Sequence, residues 1–140
     1  VLVEAPIQYE IDGMLWSGTI DLADDKGKVR DWKTSARKPT DGGTYQLAMT
    51  GYALGYRELT GKTETDVQLD FLVRYKKQDP AYYPIPAGGP VSDRAIGVFA
   101  DAVARTYEAI MAGRFLPNGL TSGACSWCGY RTICPFYAKR

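Results

Sequence analysis

Histidine is absent from all 140 residues. Without an imidazole no Ser-His or Cys-His nucleophilic pair can be built, and the histidine ligand sets of zinc hydrolases are missing too. Cysteine is scarce, with three residues, all between Cys125 and Cys134. That is too few, and too localised, for a disulfide scaffold. No apolar run approaches the roughly 20 residues that cross a bilayer, so no membrane span is expected. Charge of one sign is also lacking overall: 17 basic residues against 16 acidic ones leave a net charge of +1. There is no internal repeat and no low-complexity tract. The chain opens at Val1 inside an apolar stretch, with no initiator Met, basic leader or cleavage site, and reads as a fragment of a longer protein.

What is present is ordinary globular composition, 45% hydrophobic and 24% charged. Val1 to Ile11 is a strand-like run, rich in Val, Ile and Tyr, that ends at the turn pair Asp12-Gly13. Met14 to Ala23 and Lys28 to Thr34 follow as strands, joined by a short loop in which Gly27 takes a left-handed conformation. These three strands read as an antiparallel meander. Apolar spacing then becomes helical from Thr44 to Leu59, with Thr60-Gly61 at its end. Val67 to Tyr75 reads as a strand, Tyr82 to Ile85 as a short edge strand bracketed by prolines, and Asp93 to Ala112 as a second helix capped by Ser92. The order β-β-β-α-β-β-α implies an α/β fold: a mixed β-sheet flanked by helices. We expect a core over 1–113 and a cysteine-rich C-terminal segment over 114–140 packed on it.

The basic residues are unevenly placed. Lys26, Lys28, Arg30, Lys33, Arg37 and Lys38 surround the single acid Asp31, and Arg74, Lys76 and Lys77 sit beside Tyr75, Tyr82 and Tyr83. Positive charge interleaved with aromatics suits a phosphate backbone and stacked bases, although solvated strand and loop faces would look the same.

The hairpin carries the chemistry. With a loop of Asp25, Lys26 and Gly27, Asp24 pairs with Lys28, and counting back sets Asp21 opposite Asp31. Strand alternation puts Lys33 on the face of Asp31 and Trp32 in the other layer. Opposed carboxylates repel unless a divalent cation or the neighbouring ammonium compensates. Magnesium or manganese there would polarise a phosphoryl oxygen and acidify a bound water, with Lys33 offsetting charge in the transition state. The same triplet on a merely solvated hairpin is the competing reading.

Gly18-Thr19-Ile20-Asp21, then Val29-Arg30-Asp31-Trp32-Lys33-Thr34, then Tyr45-Gln46-Leu47, and finally Cys125-x2-Cys128-x5-Cys134-Pro135 resemble, in order, the RecB-like branch of the PD-(D/E)XK nuclease superfamily. The resemblance implies a restriction-endonuclease-like core and a metal-dependent nuclease that hydrolyses DNA, an exonuclease type found in recombination, repair, CRISPR adaptation or phage DNA processing, with a helicase or recombination partner and a cytoplasmic setting. It makes Asp21 the first metal-binding acid, Asp31 the acid of the D/E-x-K motif, and Lys33 the catalytic lysine. It makes the Trp32 carbonyl a backbone metal ligand, Gln46 the glutamine of the helical motif, and Glu4 an acidic position of the first strand. Lys38, Arg74, Lys76 and Lys77 become the nucleic-acid-binding set. Cys125, Cys128 and Cys134 would join a fourth cysteine, absent here, around a four-iron four-sulfur cluster.

Two departures stand out. The family's tyrosine four residues after the glutamine is replaced by Thr50, with Tyr45 and Tyr52 nearby. The family's upstream helical segment, a source of a further metal ligand, would lie before Val1. A non-catalytic nucleic-acid-binding module that keeps the fold is the alternative from a different functional class, and a small redox or zinc protein built on the cysteines a second one.

Overall fold

The computed structural model describes residues 1–114, 123–134 and 137; Pro135 of the cysteine motif lies outside them. The chain forms two compact units, Val1–Ala104 and Arg105–Arg140.

In the first unit, β1 (Leu2–Ile11), β2 (Met14–Ala23), β3 (Lys28–Ser35), β4 (Asp66–Val73) and β5 (Ala81–Pro86) form one sheet in that spatial order. Only β3 and β4 are parallel; α1 (Gln46–Thr60) makes the crossover between them. The expected element order and mixed sheet are observed, with β1 and β5 at the edges. Asp12 and Gly13 both have positive φ, 48° and 78°, the two-residue turn whose twist matches a hairpin. In the next hairpin Gly27 has φ 77°, and the Asp24 carboxylate accepts the N–H groups of Lys26 and Lys28 at 3.0 and 2.9 Å. The loop therefore closes on its own side chain, and Leu22 and Ala23 pair with Arg30 and Val29. This is the register expected from the loop length.

Alternation along β1 and β2 is not regular. Leu2 and Ala5, three residues apart, both pack on the core, as do Ile20 and Ala23 of β2. The change of face on β1 coincides with Glu4, whose φ of 46° is costly for a residue with a side chain, about 1–3 kcal/mol. The paired residues Val3–Leu22 and Ala5–Ile20 flank Glu4 and Asp21, so the strained backbone lies across from Asp21. The same change of parity lets Asp21 share a face with Ala23 rather than point away from the helical layer.

The core joins Ile7, Ile20, Val29, Val67, Leu69 and Phe71 beneath α1. The helix comes close because it carries glycine where it meets the sheet: a methyl group on Gly55 would lie 2.3 Å from Ile7 Cδ1, and one on Gly51 2.7 Å from Trp16. Two buried acids fix the loops beyond α1. Glu64 takes a bidentate pair from Arg57 at 2.7 and 2.8 Å and the Val91 N–H at 2.8 Å. Asp66 accepts from the N–H groups of Gly88 and Gly89 at 3.0 and 3.1 Å and pairs with Lys28. Ser92 Oγ accepts the Ala95 N–H, the expected cap of α2 (Asp93–Met111), whose Phe99 packs edge-on against Trp16.

One expectation is corrected on the opposite face of the sheet. Trp32 points away from α1 as expected, but it is not enclosed in a layer: it is 42% exposed and leans on Tyr82 with ring centroids 6.4 Å apart.

In the second unit α2 ends at Met111, and beyond it Gly113 and Arg114 donate back to the carbonyls of Ile110 and Ala109. A short 3-10 turn spans Ala124–Ser126, and Arg131 donates to the Ser126 carbonyl at 3.0 Å. Among the described residues no helix is long and apolar enough to cross a membrane.

Candidate active site

Asp31 lies in the middle of β3 on the face covered by α1, and only 3% of it is exposed. Lys33, two residues on, places Nζ 2.6 Å from Asp31 Oδ2. Asp21 arrives from β2. The ladder between β2 and β3 runs only as far as Leu22–Arg30. Beyond it the Asp21 carboxylate takes the place of the missing backbone acceptor, receiving the Trp32 N–H on Oδ2 at 2.8 Å. That bond orients Asp21.

The electrostatics follow from this crowding. Burial pushes the Asp31 carboxyl above the ordinary range; Lys33 pulls it back, and the charges of Asp21 and Asp70 push it up further. For Lys33 burial works against the charged form, but Asp31, with help from Tyr52 and Asp21, outweighs it and keeps the ammonium protonated. Burial and the Asp31 charge likewise raise the Tyr52 phenol. Tyr52 therefore stands within electrostatic reach of all three expected catalytic residues. Its ring meets Trp16 edge-on, and Gly18 lies close to it. Tyr45 also contributes, its ring 5.4 Å from Lys33 Nζ and packed edge-on against Phe71. The two tyrosines left without a role in the sequence thus both act on the lysine. Thr50, where the family pattern has tyrosine, is buried, with its hydroxyl donated to the Gln46 carbonyl.

The remaining expected residues are placed as follows. Gln46 is the exposed first residue of α1. Lys38 sits over the Tyr83 ring at 5.1 Å, where the Tyr83 hydroxyl meets that of Tyr75 at 2.9 Å. Arg74 follows directly after β4 and donates its backbone N–H to Ser35. Arg74, Lys76 and Lys77 are exposed, at the same end of the parallel pair to which β3 delivers Lys33.

The donor set at Asp21 and Asp31 fits a hard divalent cation. Asp21 and Asp31 offer two carboxylates within electrostatic reach of each other, and magnesium in particular keeps several waters and needs only one or two carboxylates. A cation would also offset the burial and like charge that raise the Asp31 carboxyl. The expected iron-sulfur cluster finds no support among the described residues. Cys125, Cys128 and Cys134 are free thiols, partly exposed, and among the described residues no three His, Cys, Asp or Glu side chains gather into a metal site.

The sequence model of the PD-(D/E)XK nuclease superfamily matches residues 2–135. Among solved structures, that of SSO0001 superposes with a TM-score of 0.61 at 17% identity, covering 99% of this chain and 61% of that one. A structure from Eubacterium rectale, described as a "putative exonuclease", gives 0.57 at 16% identity, with 99% and 54% covered. At these identities the likeness is one of fold, and the chain spans between half and two-thirds of each. A search of curated proteins finds no match.

Proposed function

Because the chain belongs to the PD-(D/E)XK nuclease superfamily, we propose that it is the catalytic core of a metal-dependent exonuclease of the RecB-like branch, acting on DNA in the cytoplasm in recombination, repair or phage DNA processing. A helicase or recombination partner fits that setting. The observation that carries this reading is the Asp31–Lys33 pair at 2.6 Å, with Asp21 of the neighbouring strand bonded to the Trp32 N–H and acting on the Asp31 charge.

Asp21, Asp31 and the Trp32 carbonyl would hold magnesium or manganese, which when bound supplies Lewis-acid polarisation of a phosphoryl oxygen and a more acidic water. Lys33, held protonated by Asp31, presents an ammonium to the charge that develops on the phosphoryl oxygens. Tyr45 and Tyr52 limit where that ammonium can move. Gln46, at the exposed start of α1, offers an amide to the incoming strand. Lys38, Arg74, Lys76 and Lys77 would take the flanking phosphates, where charge adds affinity without sequence preference.

One observation favours a second reading. With no third acidic side chain gathered at the site among the described residues, the same fold could serve as a nucleic-acid-binding module without turnover.

The intact protein, given end-labelled linear DNA and covalently closed circles with magnesium or manganese, decides between the two. Trimming of linear DNA only, abolished by chelator and by Lys33→Ala, is the expected result. Cleavage undiminished in Lys33→Ala overturns the assignment, and tight binding with no cleavage establishes the module.

A further inference from the structure

Beside the catalytic pair lies a cavity of about 380 Å³, bounded by the start of α1, the helix-facing side of β4 and β5, and the loop into α2. Leu69, in its floor, is the strand neighbour of Asp31, so cavity and catalytic carboxylate share a face one strand apart. No charged residue lines it. The floor is Val67, Leu69 and Ile85, and the polar groups around it are the Gln46 amide and the Thr50 and Ser92 hydroxyls.

The walls are fixed before any ligand arrives. Val91, in the far wall, is held by its N–H on Glu64 and its carbonyl on Arg57, at 2.8 and 2.9 Å. The preceding Gly88-Gly89 turn is held by Asp66. Two buried acids thus pin a surface loop against an apolar floor, which lowers the ordering cost of filling the space.

An uncharged slot next to a strongly charged site suits a ligand with one anionic part and one flat, neutral part carrying hydrogen-bonding edges. A nucleotide has that division: phosphate for the lysine and cation ligands, base for the slot. The volume lies in the range of small-molecule sites, about 300–1,000 Å³. We propose that this cavity receives one unstacked nucleobase of the substrate strand, next to the scissile phosphate. The inference rests on the nuclease reading and sharpens it. A base within an intact duplex enters only after unpairing and unstacking at a cost of a few kcal/mol, so the favoured substrate class is single-stranded DNA or a frayed end.

The test uses the intact protein and a set of single-stranded oligonucleotides, each with one abasic nucleotide, the position stepped along the strand. One position close to the cut should lower kcat/KM about tenfold, comparable to the loss of one base's stacking or burial, while the others change it little. The same series carrying 2-aminopurine, bound with calcium in place of magnesium, should brighten at that position alone as the base leaves its neighbours. Ala95→Phe, which fills the cavity from the first turn of α2, should abolish both position effects. A flat abasic profile together with no brightening at any position overturns the proposal, whether or not Ala95→Phe folds. A position effect retained in folded Ala95→Phe also overturns it, because the base would then sit elsewhere. If no oligonucleotide is cleaved, the catalytic reading fails, but brightening at one position that Ala95→Phe removes still supports the base site.

Discussion

Asp31 and Asp70 lie on neighbouring strands, are almost fully buried, and point to opposite faces of the sheet. Asp70 is held within the fold: its Oδ1 accepts from Gln68 at 2.6 Å and Tyr82 at 2.5 Å, and Oδ2, buried without a hydrogen-bond partner, faces the Arg30 guanidinium at 3.5 Å. Asp31 has one ammonium and a second acid pressing on it, and burial raises its carboxyl. The difference shows that burial alone does not make a site. A buried carboxylate set against neutral donors and a guanidinium has its charge balanced within the fold. One crowded by like charge favours the approach of a cation or a reacting group.

The contrast can be broken most sharply by substituting each acid with its amide. Asp31→Asn should lower metal-dependent cleavage about 10³-fold or more, on the scale of removing a group that acts on transition-state charge. Asp70→Asn, which can keep its hydrogen-bond partners, should stay within a few-fold of the unaltered protein. Equal losses in the two variants, measured as kcat/KM on the same strand, would erase the distinction.

Stability should reverse the ranking. Asp70→Ala strips the partner from Gln68, Tyr82 and Arg30 in one step and should cost about 3 kcal/mol, the lower end of the range for breaking a buried pair because Arg30 is partly exposed. Urea unfolding measures it. Asp31→Asn should not destabilise the metal-free protein at pH 7. Because burial raises the Asp31 carboxyl, the folded state binds its proton more tightly than the unfolded state does. Stability from that site is present below the ordinary carboxylate range and is lost as pH rises through the raised value. Asn removes the loss, so with chelator present the variant should gain on the unaltered protein from pH 4 to pH 7. A gain that grows toward acid would contradict this account.

The smallest expected effect concerns binding rather than either acid. Lys76→Ala with Lys77→Ala removes two exposed cations at the end of the sheet where Lys33 and Lys38 lie. The slope of log affinity against log salt should fall by about 1.4–1.8, the counterions released by two phosphate contacts. An unchanged slope puts the strand on another face.

The hairpin that joins Asp21 to Asp31 was legible because a three-residue loop ending in glycine leaves little choice of register, and Leu22–Arg30 confirms it. The element order and mixed sheet were legible from hydrophobic period. Boundaries moved where local chemistry intervened: the first helix begins at Gln46 because Gly43–Tyr45 form a 3-10 turn. β4 ends at Val73 rather than Tyr75, since Arg74 already donates to Ser35 beyond the last paired residues. Other features left no signal in the chain. Nothing near Glu4 announces a left-handed backbone in a strand. Asp70 looks like an ordinary alternating polar residue, since Gln68 and Tyr82 enclose it only after β5 returns. Tyr52 is placed by the approach that Gly51 and Gly55 permit, so those glycines were the available clue. For the cysteines, spacing suggested ligands, but spacing does not bring them together.

The most direct test of the contrast is to soak crystals of the intact protein with manganese and locate it by anomalous scattering. The account predicts one strong peak within bonding distance of Asp21 and Asp31, with the Trp32 carbonyl as a third ligand, and its loss in Asp31→Asn. A peak on the opposite face at Asp70 and Asp66, or occupancy unchanged in Asp31→Asn, would contradict it.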